Sequence, residues 1–549
     1  PVTSPNRLPD SVIGAGTIPA GGRELFVDNY RWAQVPRIVD NDGKTFRVLQ
    51  GFRGNWKDWD WDTAVTWSRA EKEDVTFNRI SNTLMQAALN DPGPTAFNPF
   101  SGRVNSNIEQ ALITVRRDNE TELKMIDFKI SKNDLFEMPA GPAAFLAGIE
   151  VREESFIDDR DPRLDGTINY VDNSGNTFPN VSDVLNSSPS FDSSGDRTVT
   201  SLFTELQIPL LENLDVQLAA RYEDFDDIGD TTVGKFAVGW RPIEQVLLRA
   251  SWSEGFRVPN LVTANEGDVA RSNTRNDFVC FFADPDEVTL DCTYGMQRLA
   301  GGSKNLSPEE STNTNFGVVI EPMENLTFTL DFWEIEKENT IGLFGEENHT
   351  ALDLLLRINQ GAANCASVTG NAAVIRDDPS TLDPADAQLY IDAGICPVGQ
   401  VVQVDDTYAN LDKRIVRGHD IGLYYNVDTA IGNFDVRYVS SFLDKYEQVA
   451  GGRAALLIEA QQNGQLPADV PVVGFADLRR QDGNAEDKHT LRIGWSRNDW
   501  SAAVSGVRLG DFIQTSLTLE DPLSGDPIYY VIPSMTTYNL AVDYRFDGW

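Results

Sequence analysis

The sequence predicts an all-β protein whose main element is one large antiparallel β-barrel that crosses a membrane. Three features of the 549 residues support this prediction. Many segments alternate between apolar and polar residues, and the connections between them alternate between short and long. No run reaches the roughly 18 apolar residues that a membrane-spanning helix needs, whereas a barrel strand requires only about 9 to 11 residues with every second one apolar. We expect about sixteen such strands in the chain.

The alternation is clearest where the segment LLRASWSEGFRVPNL begins, at residues 247–261. One face of this predicted strand carries Val246, Leu248, Ala250 and Trp252. The other face carries Arg249, Ser251 and Ser253. We expect the apolar face to contact lipid and the polar face to line a wet lumen.

The same pattern recurs along the whole chain. Further examples are WDWDTAVTW (59–67), NLDVQLAARYEDF (213–225), NLTFTLDFW (325–333), NFDVRYVSSF (433–442) and TYNLAVDYRF (537–546). Each of these segments has one face that is charged or polar, which is typical of strands exposed to lipid on one side only.

The connections distinguish the two ends of the predicted barrel. Short turns occur at PLLEN (209–213), RPIEQ (241–245), EPMEN (321–325) and SRNDW (496–500). Between them lie long polar segments at 73–118, 157–195, 257–310, 341–412, 448–487 and 511–533. Short turns at one end and long loops at the other are typical of outer-membrane barrels. An additional tight hairpin is predicted at DNDG, residues 40–43.

Charge and histidine content exclude several functions. The chain has 46 Lys and Arg against 84 Asp and Glu, a formal charge of −38, so nucleic-acid binding is not expected. His349, His419 and His489 are far apart and lack the spacing of a zinc site or a catalytic triad. We therefore expect no enzyme activity, no cofactor and no metal site. Acidic clusters at 158–166 and 224–230 leave calcium binding open, but solvated loops are the preferred interpretation.

All four cysteines fall within predicted long loops. Cys280 and Cys292 lie in one loop, Cys365 and Cys396 lie in another, and neither pair has metal-binding spacing. Each pair is predicted to form a local disulfide in an oxidising compartment, and free buried thiols are the alternative.

Three stretches resemble the TonB-dependent receptors of the Gram-negative outer membrane. SWSEGFRVPNL (251–261) is similar to their barrel motif seGFRaPnl, NLSPEESTNTNFGV (305–318) to their motif nLkPEkS, and TELQIPLLENLDVQLAARYEDF (204–225) to a hairpin common in the family. The motif residues are Gly255, Phe256, Arg257, Pro259, Asn305, Leu306, Pro308, Glu309 and Ser311. The alternative interpretation is that these residues only form a bend at the barrel rim and a packing surface for a plug.

The resemblance implies a barrel of about 22 strands whose lumen holds an N-terminal plug. It also implies a short box that engages the TonB energy-coupling complex. Nothing in this sequence resembles the plug or the box. We expect residues 1–23 to form a loop and residues 24–549 to form the barrel portion, with the plug, the first strands and the last strand absent from the chain.

The expected function is energy-dependent uptake of a scarce nutrient through the outer membrane. Expected partners are membrane lipid, lipopolysaccharide, the TonB complex through the absent plug, and a small ligand. The loop at 157–195 is rich in Asp and poor in Arg, so a neutral oligosaccharide is as plausible a ligand as an anionic ferric siderophore. The alternatives are a passive porin-like channel and a secreted β-propeller hydrolase, although propeller blades are covered on both faces.

Overall fold

The protein is built around a single antiparallel sheet of fifteen long strands. The computed structural model describes residues 30–546 except 34, 101–106, 173–174, 412 and 521–526. The predicted loop at residues 1–23 lies outside the described residues. The strands, in chain order, are β1 (Ile38–Trp56), β2 (Trp59–Ile80), β3 (Leu112–Met138), β4 (Gly141–Arg160), β5 (Asn169–Val171), β6 (Thr177–Ser182), β7 (Ser193–Leu211), β8 (Leu214–Phe225), β9 (Gly229–Ile243), β10 (Val246–Arg257), β11 (Val269–Asn276), β12 (Thr293–Ala300), β13 (Glu309–Met323), β14 (Leu326–Glu338), β15 (Ile341–Gly342), β16 (Val374–Arg376), β17 (Val401–Asp405), β18 (Ala409–Asn410), β19 (Lys413–Thr429), β20 (Gly432–Val449), β21 (Asp487–Arg497), β22 (Trp500–Leu509), β23 (Phe512–Glu520), β24 (Pro527–Ile532) and β25 (Met535–Tyr544).

The main sheet follows the order of the chain. It runs β1-β2-β3-β4-β7-β8-β9-β10-β13-β14-β19-β20-β21-β22-β25, so each strand pairs with its neighbours in sequence once the short loop strands are set aside. This confirms the all-β prediction, with one strand fewer than the sixteen or so that we expected. It also excludes a propeller, because the strands form one continuous sheet rather than separate blades.

Helices are few and lie in the connections. They are α1 (Asn82–Asn90), α2 (Leu261–Asn265), α3 (Phe278–Ala283), α4 (Glu346–Gln360), α5 (Pro384–Asp392) and α6 (Gly452–Gln462), with short 3-10 turns at Ile108–Ala111 and Pro379–Thr381. In the described part of the chain, none of these helices has the length and apolar character required to cross a membrane.

The two ends of the sheet differ as predicted. Two-residue turns join strands at one end, at 57–58, 139–140, 212–213, 244–245, 324–325, 430–431 and 498–499. The other end has the long loops 81–111, 161–192, 258–308, 339–412, 450–486 and 510–534, together with one three-residue connection at 226–228. The six long loops agree with the six predicted segments, of which four had included strand ends and two, 341–412 and 511–533, were one or two residues too short.

The hairpin predicted at residues 40–43 is wrong. These residues lie inside β1, where Asp40 pairs with Val75 and Gly43 pairs with Lys72. Pairing with β2 over the full length of the strand outweighs the local turn preference of the Asn-Asp-Gly sequence. The short connection at the long-loop end is instead 226–228, between β8 and β9.

The two faces of the sheet have the chemistry that the alternation predicts. Trp252 and Phe328 are 41% exposed on the apolar face. On the polar face, Arg249 donates from Nε to Asp331 Oδ1 at 2.8 Å across the intervening Gly317. A Cβ atom at Gly317 would collide with the Asp331 carboxylate and the Arg249 guanidinium, so this ion pair requires glycine between its partners.

Three long loops fold together into a cap, defined as residues 258–308, 339–412 and 450–486. One hydrophobic cluster unites them, because it contains buried residues from helices α3, α4, α5 and α6. Strands β11, β12, β17 and β16 form a four-stranded sheet across the first two of these loops. Both predicted disulfides are present here, joining Cys280 to Cys292 and Cys365 to Cys396.

Buried ion pairs hold the cap loops to each other. The Arg376 guanidinium makes two hydrogen bonds to Asp277, of 2.6 and 2.8 Å, and a third from Nε to Asp353 at 2.9 Å. Asp277 belongs to the first loop, whereas Arg376 and Asp353 belong to the second. Tyr294 adds a hydrogen bond from its hydroxyl to Asp277 at 2.8 Å.

A second buried carboxylate, that of Asp406, also joins the first two cap loops. Asp406 accepts hydrogen bonds from the backbone of Phe344 and Gly345, at 3.0 and 3.1 Å, and pairs with Arg298 at 2.7 Å. His349 Nε2 lies 3.3 Å from Asp406 Oδ1. Because removing one partner of a buried ion pair leaves an uncompensated charge, each of these contacts is costly to break.

The apolar and polar faces should differ in their tolerance of charge. We expect Phe328→Arg to lower the free energy of unfolding by about 2–4 kcal/mol, because its side chain would place a cation against hydrocarbon. Thr327→Arg, one residue away on the polar face, should cost much less. Urea titration after refolding into lipid vesicles measures both values, and equal losses would contradict the assignment of the two faces.

The cap should loosen in acid. Burial opposes ionisation of Asp277, but the charge and hydrogen bonds of Arg376 outweigh it and hold the pKa below its ordinary value. The pKa of Asp406 is also lowered, because hydrogen bonds from His349 and Arg298 overcome burial. A lowered folded-state pKa contributes stability that is complete above the unfolded pKa, near 4, and is lost as the pH falls through the folded value.

Hydrogen exchange of the α4 amides, compared with those of β8, measures this effect. We expect α4 protection to decrease below about pH 4 while β8 protection is kept. Asp277→Asn should reduce α4 protection already at pH 6. Parallel behaviour of α4 and β8 across this range, or an unaffected Asn variant, would show that the carboxylates do not hold the cap.

Candidate ligand-binding site

The two family-like motifs meet at the root of the cap. Arg257 ends β10 and Glu309 begins β13, and their side chains form an ion pair of 2.6 Å. Glu309, whose side chain is only 4% exposed, also accepts a hydrogen bond from the backbone N–H of Ile341 at 2.8 Å. One carboxylate therefore connects three chain segments where the cap leaves the sheet.

The remaining motif residues pack around this contact. Gly255 faces Ser311 across the strand pair, and a Cβ at Gly255 would lie 2.8 Å from the Ser311 hydroxyl. Phe256 contacts Phe225 edge to face at 6.1 Å. Pro259 and Leu306 are buried, whereas Asn305 is exposed and Pro308 is partly buried in the segment that leads into β13.

Asn410 reinforces the same junction. It accepts a hydrogen bond from the backbone of Ser307 at 2.8 Å and donates to the carbonyls of Ser307 and Asn339 at 2.9 and 2.8 Å. These contacts favour the interpretation of the motifs as a brace at the rim. A role for them in function stays a prediction.

A different set of residues forms a basic pocket, which none of the nine motif residues lines. It has a volume of about 400 Å³ and lies at the long-loop end, between the ends of β2, β3 and β4, the loop 161–192 and the cap strand β11. Its cationic side chains, seven in number, are Arg37, Lys72, Arg79, Arg116, Arg117, Arg160 and Arg271. Asp74 is the single carboxylate among the lining residues, so the pocket is strongly basic in a chain whose net charge is −38.

Register places this pocket on the polar face of the sheet. Thr76 pairs with both Val39 and Val115, and Asp74 pairs with both Asn41 and Arg117. These pocket residues alternate with Val75 and Phe77, which continue the apolar face of β2. Arg116 is the exception among the lining cations of the sheet, because it pairs with Val75 and so belongs to the other face. The pocket therefore opens on the side that the barrel prediction assigns to the lumen.

Four of the seven cations have carboxylate partners. Arg117 and Arg160 share Asp158, at 2.6 and 2.7 Å, Lys72 pairs with Asp74 at 2.9 Å, and Arg116 pairs with Asp118 at 2.7 Å. Arg37, Arg79 and Arg271 form no ion pair with any carboxylate in the described part of the chain. Guanidinium groups that converge without an anion favour binding of a negatively charged ligand.

Hydrogen bonds hold the loop 161–192 in place beside Arg79 in the pocket wall. Arg79 donates to the carbonyl of Leu185 at 2.9 Å, and Asp183 ties the same loop to the start of α1 by accepting from Ser81 Oγ at 2.7 Å and from the Thr83 backbone at 2.9 Å. Burial alone would raise the pKa of Asp183, but these hydrogen bonds and Arg163 lower it. The carboxylate therefore stays ionised and keeps the loop in place beside the pocket.

This pocket was not predicted from the sequence, in which the acidic loop 157–195 made a neutral oligosaccharide as plausible a ligand as an anionic siderophore. The lining cations come from the lead into β1, from β2, β3 and β4, and from β11. They are separated by up to 234 positions along the chain, from Arg37 to Arg271. No local motif contains them. Two acids of the 157–195 segment, Asp158 and Asp183, form ion pairs with Arg117, Arg160 and Arg163.

The acidic clusters do not assemble into a metal site. Asp227 of the 224–230 cluster binds Arg197 through two hydrogen bonds of 2.8 Å, and Asp158 is shared by two arginines as above. Within the residues that the structure describes, no group of three or more His, Cys, Asp or Glu side chains is arranged to hold a metal ion.

Comparison with known proteins identifies the family of this chain. The profile of the family described as "TonB dependent receptor-like, beta-barrel" matches residues 6–549. No curated protein sequence matches the chain.

Solved structures with the same fold include two receptors from Gram-negative bacteria. The siderophore receptor PirA of Acinetobacter baumannii is 13% identical, with a TM-score of 0.52 over 92% of this chain and 57% of PirA. A mutant of the ferric enterobactin receptor PfeA of Pseudomonas aeruginosa is 14% identical, with a TM-score of 0.52 over 92% of this chain and 55% of PfeA. The chain thus spans little more than half the length of these receptors. It belongs to the TonB-dependent receptors, β-barrel proteins of the Gram-negative outer membrane.

Proposed function

We propose that this protein takes up an anionic ferric siderophore through the outer membrane, with energy supplied by the TonB complex. The observation that carries this proposal is the basic pocket, which is lined by seven cationic side chains, three of them without a carboxylate partner in the described residues. Ferric catecholates are anions, and the converging guanidinium groups of Arg37, Arg79 and Arg271 supply planar donors that suit such oxygen-rich ligands.

The position of the pocket also suits capture from outside the cell. It lies at the long-loop end, which in outer-membrane barrels is extracellular, and on the face that lines the lumen. Arg79 belongs to the sheet, whereas Arg271 belongs to the cap, so one bound ligand contacts both parts. The two structural relatives are described as a siderophore receptor and a ferric enterobactin receptor, which supports the same ligand class.

The other candidates receive less support from the described residues. A neutral oligosaccharide offers no charge to match the unpaired arginines. A passive porin has no need for a braced cap that folds around its own hydrophobic core. The family comprises receptors and transporters rather than enzymes, in keeping with a site that binds without covalent chemistry. The expectation that residues 24–549 are the barrel portion of a plug-containing receptor remains part of this proposal.

Removing the unpaired arginines should weaken binding of a ferric tris-catecholate. A hydrogen bond to a charged group contributes about 1.5–3 kcal/mol, so Arg79→Gln and Arg271→Gln should each raise Kd by roughly tenfold to a hundredfold. Arg271 is exposed, which makes its variant the safer one for folding. Equilibrium titration of the purified protein in detergent gives the Kd values.

Arg437→Gln is the matched control, because Arg437 lies on the polar face of β20 and is not among the pocket residues. Its Kd should equal that of the unmodified protein. Equal losses in all three variants would point to a general charge effect. Tight binding of an uncharged oligosaccharide, with no binding of the ferric chelate, would overturn the proposed ligand class.

A further inference from the structure

The face of the cap sheet that carries Arg271 also carries a second arginine. Arg271 of β11 pairs directly with Arg298 of β12 in the antiparallel register, so both side chains project from the same face of the sheet. Like charges in directly opposite positions of a strand pair destabilise the sheet. The two arginines therefore need neighbouring carboxylates, but only Arg298 contacts them.

Arg298 contacts two buried carboxylates. Its Nε atom donates to Asp406 Oδ2 at 2.9 Å, and a terminal nitrogen lies 2.7 Å from the same oxygen. The Nε atom also lies 3.9 Å from Glu346 Oε2. The Asp406 side chain is fully buried and that of Glu346 is nearly so. One guanidinium group therefore neutralises two acids that water does not reach.

Glu346 lies close to Arg271 as well. Its Oε1 atom accepts a hydrogen bond from Nδ2 of Asn273 at 2.9 Å. Asn273 is two residues from Arg271 on β11, so both side chains project from the same face. Neighbouring positions on one face of a strand are about 7 Å apart, a separation that an arginine side chain spans. Glu346 is thus a carboxylate within the reach of Arg271 once Arg298 is removed.

Arg271 itself is directed to the basic pocket. It lines the pocket and forms no ion pair with a carboxylate in the described part of the chain. The start of β11 is fixed there, because Val269 pairs with Ser190 of the loop 161–192 and both residues line the same pocket. The backbone therefore holds Arg271 beside the pocket, and the direction of its side chain depends on which anions are open to it.

We propose that Arg298 is a positioning residue for the basic pocket. It neutralises the carboxylates that would otherwise attract Arg271, and its own charge repels the Arg271 guanidinium towards the pocket. Arg271 is thereby kept free to donate to the ligand, although Arg298 does not line the pocket. The inference rests on the proposed function, because it takes the ferric chelate as the ligand of Arg271.

Glu346 is the acid that would attract Arg271 in the absence of Arg298. Asp406 would keep two backbone hydrogen bonds from the second cap loop and the contact with His349. Among the described residues, the Glu346 carboxylate would keep only the hydrogen bond from Asn273. A buried carboxylate without a cation is costly, so a nearby arginine is expected to move towards it.

The affinity of Arg298→Met for a ferric tris-catecholate tests this inference. Arg271 should turn to Glu346, so the Kd should rise by roughly tenfold, the lower end of the loss expected for Arg271→Gln. In the Arg271→Gln background, Arg298→Met should cause no further loss, because the side chain on which it acts is gone. Adding Glu346→Gln to Arg298→Met should restore most of the affinity, because it removes the competing charge.

Arg357→Met is the matched control. Arg357 is a cap arginine that pairs with the buried Asp353 at 3.1 Å and is not among the pocket residues. Its Kd should equal that of the unmodified protein. Hydrogen exchange of the α4 amides establishes that the cap is folded in each variant. Should Arg298→Met lose this protection, Arg298→Lys keeps a charge beside Asp406 but has no planar fork, and a smaller loss with the same dependence on Arg271 is expected.

Four results would overturn the inference: an unchanged Kd in Arg298→Met, a further loss in the Arg271→Gln background, no recovery with Glu346→Gln, or an equal loss in the control. Cryo-electron microscopy of unliganded Arg298→Met gives a second readout, in which Arg271 should lie within hydrogen-bond distance of Glu346. Arg271 still directed to the pocket would overturn the inference even if the chelate does not bind. Failure of the proposed function differs, because the unmodified protein and Arg271→Gln would then bind the chelate equally weakly.

Discussion

Pairing of backbone hydrogen-bonding groups is the constraint on which the rest of this structure depends. Inside a lipid bilayer an unpaired N–H or C=O group costs several kcal/mol, so a chain that crosses by strands must pair them in a continuous ladder. In the described residues the sheet pairs fifteen strands in sequence order, with seven two-residue turns at one end and β1 and β25 at its edges. The long loops all lie at the other end of the sheet. The longest of them, 339–412, has 74 residues.

Three of these loops form the cap, which has its own hydrophobic core. The apolar face of the sheet is exposed, for example at Trp252 and Phe328, whereas the cap has buried leucine, valine and phenylalanine side chains. Arginine and aspartate then join the cap loops to each other at Arg376 and Asp277, and the Arg257–Glu309 pair joins the cap to the sheet. The basic pocket lies where these two structures adjoin, so its shape depends on both.

The sequence predicted what local periodicity can encode. Alternation assigned the faces of β10 and β14, and the lengths between strands located the loop 339–412 to within two residues. The cysteine pairs were predictable because each lies within one loop. The pocket was not predictable, because Arg37, Arg79 and Arg271 meet only through the register of β1 with β2 and the docking of β11. Residues 40–43 have the local preference of a tight turn, but they form part of β1 because they pair with β2 over its length.

We propose that an anionic ferric chelate binds where the cap strand β11 faces the ends of β2 and β3. Cryo-electron microscopy of the protein with a bound ferric tris-catecholate would test this binding mode. Density for the chelate is expected within hydrogen-bond distance of the Arg79 and Arg271 side chains. Density for the chelate at another place on the cap, with these arginines left uncontacted, would contradict it.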